Sequence, residues 1–588
     1  MKDFLKYTLA TVVGIILTRI IFTIISIVSL AGMIASEGAT SSIEKNSILR
    51  IKLQGEITER SEENPMDFLS QGEISSIALD QALEALKKAA ANDRVKGIYL
   101  EGGILAATPA ELQELRQALL KFKESGKWIV AYGDDFSRGA YYVCSVADEL
   151  FLNPIGMVDW SGMSSQPIFF TGLMKKLGIK MQVFKVGTYK SAVEPYICTE
   201  MSDANREQVQ SFLNNIWGNM LKEVAASRGL TVEALNGMAD STTLLCEADV
   251  FVENKLVDKL GYRSEVKEAL RERLELDEDD DLKFTTLADV AASDDLGKKV
   301  DEEVAVYYAY GEISDNRTSG FNKEHNITSR DMMKDLQELR KDDDVKAVVI
   351  RVNSPGGSAF ASEQIWHEVQ LLRAEKPVVV SMGGMAASGG YYISCGANQI
   401  FAEPMTLTGS IGIFGMIPDA SELLTEKLGL TFDVVKTNVM SDFGAMGRPF
   451  NANESAKMQS YINQGYELFT NRVAGGRGLA QDSVKVIAEG RVWTGEQALA
   501  IGLVDKLGNL DDAVEAAAAL AELDDYTVGR YPAAKPWYMD FMDKAGSDYM
   551  DSHIRAAMGE YYPAYAFVRR IGKMNPIQAR LPFDPNIK

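Results

Sequence analysis

Cysteine and positive charge are both in short supply in this 588-residue sequence. The four cysteines are widely spaced and form no C-x-x-C pair: Cys144, Cys198, Cys246 and Cys395. This pattern is typical of neither a zinc site nor a disulfide framework, so we expect buried free thiols. Lys and Arg number 61 against 83 Asp and Glu, a formal net charge of -22. Such a charge argues against a nucleic-acid partner, because phosphates would be repelled.

Long apolar runs are also rare, and the sequence has one. Residues 7–35 are almost wholly apolar, interrupted by small or hydroxyl residues and by Arg19. Roughly 20 residues suffice to cross a bilayer, and Lys2 and Lys6 ahead of the run favour a cytoplasmic N-terminus. A cleaved signal peptide is the alternative, but its apolar region is typically about 7–15 residues long. We therefore predict an uncleaved membrane anchor over residues 1–40, followed by a translocated body.

The body contains an internal repeat. Residues 95–100 match 345–350, residues 139–143 match 389–393, and residues 150–154 match 400–404, each at an offset of 250. Two further matches, KLGI with KLGL and KLVDKLG with GLVDKLG, keep the same order. A repeat of this length is best explained by two copies of one domain.

Each copy alternates short apolar runs with amphipathic stretches such as 110–124 and 362–374. That alternation predicts βαβ units and an α/β fold. We place the first repeat at 41–275, an acidic linker at 276–300 and the second repeat at 301–525. The remaining residues, 526–588, belong to neither repeat, and the sequence assigns them no role.

The copies differ at two glycine-rich segments. The second copy carries NSPGGS over 353–358, a turn that can direct backbone N–H groups outward as an oxyanion hole, although a plain glycine turn is the simpler interpretation. It also carries Ser388 between small residues, where the first copy has Arg138. Such a serine is commonly a helix N-cap. Its absence from the other copy favours a nucleophile.

The base that would activate Ser388 has few candidates. The three histidines are His325, His367 and His553. His367 lies in an amphipathic stretch, so a Ser-His-Asp triad is poorly supported. A buried lysine is the alternative, because desolvation lowers its pKa. Lys190 in the first copy stands opposite Ser441 in the second. Each copy therefore holds one half of a candidate Ser-Lys pair, which predicts a single composite site.

Four motifs, TYKSAVEP, NSPGGS, AASGGYYIS and TGSIGIFG, occur in that order. With them the sequence resembles the long, duplicated members of the bacterial signal peptide peptidase A (protease IV) family, within the Clp-protease/crotonase-like superfamily. The resemblance implies tandem crotonase/Clp-protease-like domains, with Lys190 as general base and Ser388 as nucleophile. It further implies oxyanion donors at Gly356 and Gly389, and a hydrogen bond from Ser410 to the lysine amine.

The resemblance also implies a function. It predicts a single-pass serine endopeptidase of the bacterial cytoplasmic membrane, with its catalytic body on the periplasmic side. The substrates would be apolar peptides, chiefly remnant signal peptides, hydrolysed through an acyl-enzyme without metal or cofactor by a homotetramer. Two alternatives stay open at this point: a crotonase-like acyl-CoA enzyme and a non-catalytic membrane scaffold.

Overall fold

The structure, a computed structural model, describes residue 19 and residues 43–61, 76–241, 245–277, 280–293, 300–315, 325–533 and 577–580. Apart from Arg19, the predicted anchor over 1–40 lies outside these residues. Among the residues described, no helix combines the length and apolarity needed to cross a bilayer.

The first repeat alternates strands with helices along the chain. Its strands are β1 (Ser47–Thr58), β2 (Ser76–Ala78), β3 (Val95–Ala106), β4 (Trp128–Gly133), β5 (Glu149–Leu152), β6 (Lys180–Lys185), β7 (Lys259–Leu260) and β8 (Lys283–Thr285). Its helices are α1 (Leu79–Ala91), α2 (Pro109–Lys123), α3 (Arg138–Cys144), α4 (Thr171–Leu177), α5 (Glu194–Ile197), α6 (Asp203–Arg228), α7 (Val232–Asp240), α8 (Asp249–Glu253), α9 (Arg263–Leu274) and α10 (Leu287–Ala291). One 3₁₀ turn, Ser191–Val193, precedes α5.

The second repeat follows the same plan. Its strands are β9 (Glu303–Tyr310), β10 (Glu312–Ser314), β11 (Asn326–Thr328), β12 (Val345–Ser354), β13 (Gly356–Ser358), β14 (Val378–Ala387), β15 (Gln399–Ala402), β16 (Leu407–Gly409), β17 (Phe414–Asp419), β18 (Val492–Thr494), β19 (Lys506–Leu507), β20 (Thr527–Tyr531) and β21 (Ile577–Arg580). Its helices are α11 (Ser329–Lys341), α12 (Ala359–Glu375), α13 (Gly389–Ser394), α14 (Ala452–Arg477), α15 (Gln481–Ile487), α16 (Gly495–Ala500) and α17 (Leu510–Leu520), with a π-helical turn at Leu423–Lys427.

Each repeat is built on one mainly parallel sheet. The first sheet has the order β2-β1-β3-β4-β5-β7, with β8 also paired to β1. The second has the order β18-β16-β14-β12-β9-β20, with β15 also paired to β14 and β19 paired to β15. Central strands such as β14 are buried on both faces, as parallel strands covered by helices require. The predicted α/β fold with tandem duplicated domains is confirmed.

A third sheet joins the two repeats. Its order is β11-β10-β13-β21-β17-β6. Strand β6 comes from the first repeat, yet it pairs antiparallel with β17 of the second, from Lys185 opposite Phe414 to Lys180 opposite Asp419. Because of this pairing, the segment that follows β6 lies against the second repeat.

The segments assigned to a linker and a tail contain packed structure. Strand β8 and helix α10 lie within 276–300, where β8 pairs with β1 and Val290 of α10 is fully buried. Strand β20 lies beyond residue 525 and pairs with β9, and β21 enters the third sheet. The acidic sequence around β8 and α10 gave no signal of these two elements, because each has one buried side chain among more exposed ones.

Candidate active site

Three polar side chains that the sequence analysis singled out meet in one buried cluster. The Lys190 Nζ atom lies 2.8 Å from Oγ of Ser388. The same nitrogen lies 2.9 Å from both the carbonyl oxygen and Oγ of Ser410. All three residues have 0% of their surface exposed. The structure thus brings together one residue of the first repeat and two of the second, over 198 residues of chain.

Ser388 stands in a sharp turn between β14 and α13. Its backbone angles are φ 56° and ψ −108°, a left-handed conformation that is rare for a residue with a side chain and costs about 1–3 kcal/mol. Its N–H donates to the carbonyl of Gly409, which helps to hold the turn. Ser388 occupies the N-cap position of α13, but its side chain makes no capping hydrogen bond. The hydroxyl is therefore free to face Lys190.

Lys190 is held by contacts on both sides of its loop. After β6 the chain turns at Gly187, whose φ is +97°. The N–H of Tyr189 then donates to the carbonyl of Glu489 at 3.0 Å, and Nε2 of Gln208 donates to the carbonyl of Tyr189 at 3.0 Å. Gly490 packs against the lysine stem, since a Cβ there would lie 2.7 Å from the Lys190 Cβ. These contacts fix the direction of the lysine side chain.

Burial favours the neutral form of the lysine. Desolvation holds the pKa of the Lys190 amine well below its usual value, and no anionic group among the described residues opposes that effect. A neutral amine has two N–H donors and one lone pair. The two oxygens of Ser410 can accept the N–H groups, which leaves the lone pair to accept the Ser388 proton. The geometry therefore suits a general base.

The two predicted oxyanion glycines adjoin each other. Gly356 has φ +97° and Gly357 has φ +158°, whereas the counterpart positions in the first repeat are Ala106 and Ala107. A Cβ on Gly356 would lie 2.7 Å from the backbone nitrogen of Gly389, so only glycine fits this approach. The N–H of Gly356 donates to Oγ of Ser354 at 3.1 Å.

A buried ionic network, absent from the sequence-based predictions, supports the strand that leads to these glycines. Arg351 on β12 forms ion pairs with Glu59 at 2.5 Å and with Glu114 at 2.5 Å, both contributed by the first repeat. Nδ2 of Asn353 donates to Glu59 at 2.8 Å and to Glu111 at 2.9 Å. Burial raises the pKa of Glu111 to about 7. The one available signal was the presence of an arginine and an asparagine directly after the apolar run 347–350 of β12.

The other candidate residues lie elsewhere. His367 is exposed on α12, and the Ser388 hydroxyl has its contacts with Lys190 and with the carbonyl of Gly412 at 3.5 Å. Arg138, the counterpart of Ser388, donates to the carbonyl of Gly162. Ser441, the counterpart of Lys190, is exposed and donates to the carbonyl of Asn438 at 2.7 Å. None of the four cysteines, all of which the structure describes, forms a disulfide; Cys144 and Cys395 are buried and the other two half-buried.

Comparisons with known proteins agree with this duplicated arrangement. The model of peptidase family S49 matches residues 121–277 and 370–524, one segment in each repeat, and the Clp protease model matches 301–407. The chain is 35% identical to "Protease 4" of Salmonella typhi over 87% of this chain and 82% of that protein. It is 36% identical to "Protease 4" of Haemophilus influenzae over 74% of this chain and 72% of that protein. It is 31% identical to "Serine protease SPPA, chloroplastic" of Arabidopsis thaliana over 82% and 70% respectively.

Proposed function

Because the chain belongs to peptidase family S49 and is a serine protease, we propose that it hydrolyses apolar peptides through an acyl-enzyme formed on Ser388. The observation that carries the proposal is the buried Lys190 amine, 2.8 Å from the Ser388 hydroxyl. Membership of a peptidase family argues against both alternatives, an acyl-CoA enzyme and a non-catalytic scaffold.

In the proposed acylation step, neutral Lys190 accepts the Ser388 proton as Oγ attacks the peptide carbonyl. Ser410 orients the amine through its two oxygens. The developing oxyanion accepts hydrogen bonds from the N–H groups of Gly356 and Gly389. For this, Gly356 exchanges its hydrogen bond to Ser354 for one to the substrate. Protonated Lys190 then gives its proton to the leaving amine, and a water molecule hydrolyses the ester by the reverse roles.

The proposed setting is the bacterial cytoplasmic membrane. The apolar run over 7–35, preceded by two lysines, supports a single-pass anchor with the catalytic body on the periplasmic side. Remnant signal peptides, which are apolar and released at that surface, would then be the substrates. A homotetramer is proposed from the family resemblance alone.

Hydrolysis of an apolar fluorogenic peptide by the full chain in detergent tests the proposal. Replacing Ser388 with alanine is expected to lower kcat/KM by at least about 10³-fold, because the nucleophile is removed. Ser441→Ala removes the hydroxyl of an exposed serine at the counterpart of Lys190. It is the matched control and is expected to keep wild-type rates. Full activity in Ser388→Ala would contradict the proposal.

A further inference from the structure

A short segment just before β18 contacts both the turn at Ser410 and the loop that follows β6 and carries Lys190, the lysine loop. The carbonyl of Glu489 accepts a hydrogen bond from the N–H of Tyr189 at 3.0 Å. The carbonyl of Arg491 accepts one from the N–H of Ser410 at 2.7 Å. Backbone contacts thus join this segment to the residue before the proposed base and to the residue that orients its amine.

The side chain of Arg491 makes a second connection to the lysine loop. Its guanidinium carbon lies 4.7 Å from the centre of the Tyr189 ring and 4.5 Å from the centre of the Trp493 ring. Both distances are within the range of an attractive cation–π contact. Nη1 of Arg491 also donates to the Tyr189 hydroxyl at 3.2 Å. One side chain therefore joins an aromatic ring of the first repeat to an aromatic ring of the second.

The charged and titratable groups around Arg491 come from two further elements. Its Nη1 lies 3.0 Å from Oε1 of Glu207 on α6, and the Tyr189 hydroxyl donates to the same carboxylate at 3.1 Å. The carboxylate of Glu489 accepts from the N–H of Thr188 at 3.3 Å. The side chain of Arg491 is 20% exposed and that of Glu207 is 56% exposed. Because water screens an exposed ion pair, we expect the aromatic contacts to hold the guanidinium more firmly than the carboxylate does.

Lys190 is closely enclosed where this segment meets it. A Cβ on Gly490 would lie 2.7 Å from the Lys190 Cβ, and one on Gly412 would lie 3.3 Å from its Cδ. The amine at the end of this stem faces the hydroxyls of Ser388 and Ser410. Desolvation lowers the pKa of the amine, and this effect depends on a lysine loop that stays packed. A loop that moved away would admit water and raise that pKa.

We propose that Arg491 is a positioning residue, which holds the lysine loop closed against the turn at Ser410 and keeps water from the Lys190 amine. The inference rests on the proposed function, since the placement of Lys190 matters only if the lysine is the base. Arg491 acts through Tyr189 and Ser410 and takes no part in proton transfer. An arginine suits this place because its guanidinium is planar, always charged and able to stack on aromatic rings.

The pH dependence of fluorogenic peptide hydrolysis by the full chain in detergent tests the proposal. Arg491→Met removes the guanidinium and keeps an unbranched side chain. We expect the rise of kcat/KM with pH to move upward by about one pH unit, because a lysine that water reaches has a pKa nearer its usual value. On the plateau at high pH, kcat is expected to fall about tenfold with little change in KM, because the base is less well placed.

The matched control is Arg273→Met in the first repeat. Arg273 has the same kinds of contact, with the Trp128 ring at 5.7 Å and with Glu149 at 3.1 Å, and its loss is expected to change neither kcat nor the pH profile. A lower rate in Arg491→Met without an upward shift of the profile would overturn the inference, since a merely less stable chain loses rate without that shift. An inactive wild-type chain would instead count against the proposed function.

A second variant tests the route through Tyr189 even if Arg491→Met fails to fold. Tyr189→Leu removes the ring that the guanidinium contacts, and it is expected to shift the pH profile upward by a similar amount. The double variant is expected to be about as active as the less active single variant, because both changes remove one shared contact. A wild-type profile in Tyr189→Leu, or losses that multiply in the double variant, would contradict the proposed role of Arg491.

Discussion

The two repeats place a serine at almost the same point of the fold and use it differently. In the first repeat, Ser137 caps α3 in the ordinary way, with φ −62° and its side chain accepting from the N–H of Ala140. In the second, Ser388 precedes α13 with φ 56° and does not cap. The strained backbone of Ser388 thus directs its hydroxyl toward Lys190 rather than toward the N–H groups of the helix. The two copies thus share one scaffold and differ at a few turn positions, and the proposed catalytic roles fall on those differences.

The proposed oxyanion turn also differs between the two repeats. The second repeat has Gly356 and Gly357, both with positive φ, where the first has Ala106 and Ala107. In return, the first repeat contributes Lys190 and the carboxylates that hold β12. In the proposed site, each repeat therefore lacks the part that the other repeat supplies.

The largest loss of activity is expected when the catalytic group proposed for the first repeat is removed. Lys190→Met keeps the buried stem and deletes the amine, and it is expected to lower kcat/KM about 10³-fold, the range for a lost general base. Peptide hydrolysis by the variant and by the wild type measures this fall in kcat/KM. The exposed Lys175 provides the control variant Lys175→Met, which is expected to be unaffected. Rates of Lys190→Met within threefold of wild type would place the base elsewhere.

A second substitution gives the second repeat the residue that the first repeat has at the proposed oxyanion turn. Gly356→Ala installs the residue of the first repeat, and the new Cβ would crowd the Gly389 nitrogen and strain a backbone with φ +97°. We expect kcat to fall about 10²-fold because the oxyanion donors shift. Gly103→Ala in the first repeat, where the new Cβ meets atoms no closer than 3.5 Å, is expected to keep full activity. Equal kcat values for the two variants would count against an oxyanion role.

The pH dependence tests the chemical state of the lysine. Because burial lowers the pKa of Lys190, the amine becomes neutral, and active, at a pH well below its usual pKa of about 10.4. The value of kcat/KM is expected to rise about tenfold per pH unit below that lowered pKa and to level off above it. An activity that rises only as the pH approaches 10 would show that the lysine is not desolvated during catalysis.

The smallest expected effect is a change in the free energy of unfolding. Ser137→Ala removes a capping hydrogen bond and is expected to lower the free energy of unfolding by about 1 kcal/mol without changing kcat/KM. Ser388→Ala removes no cap and is expected to leave the unfolding free energy unchanged. Urea melts of the two variants make the comparison. The reverse order of stabilities would mean that Ser388 acts as a cap after all.

Sequence patterns predicted the repeats and the α/β fold, and they singled out Lys190 and Ser388, whose side chains lie in contact, because strand periodicity and differences between aligned copies are local signals. They did not reveal that β6 crosses to pair with β17, or that β21 pairs with β13, since antiparallel pairing between distant segments leaves no spacing to read. Nor did they indicate Glu489 and Gly490 as the contacts of the lysine loop. Glu489 acts through its backbone carbonyl, which any residue supplies, and Gly490 acts through its lack of a side chain.

The central claim is that each chain builds one complete site from its own two halves. The most direct test mixes the inactive variants Ser388→Ala and Lys190→Met by co-expression under different affinity tags, followed by isolation of assemblies that carry both. Because Lys190 and Ser388 of one chain face each other, every site in such an assembly lacks one partner, and we expect no peptide hydrolysis. Recovery of a substantial part of the wild-type rate would contradict the account, since the lysine and the serine would then come from different copies.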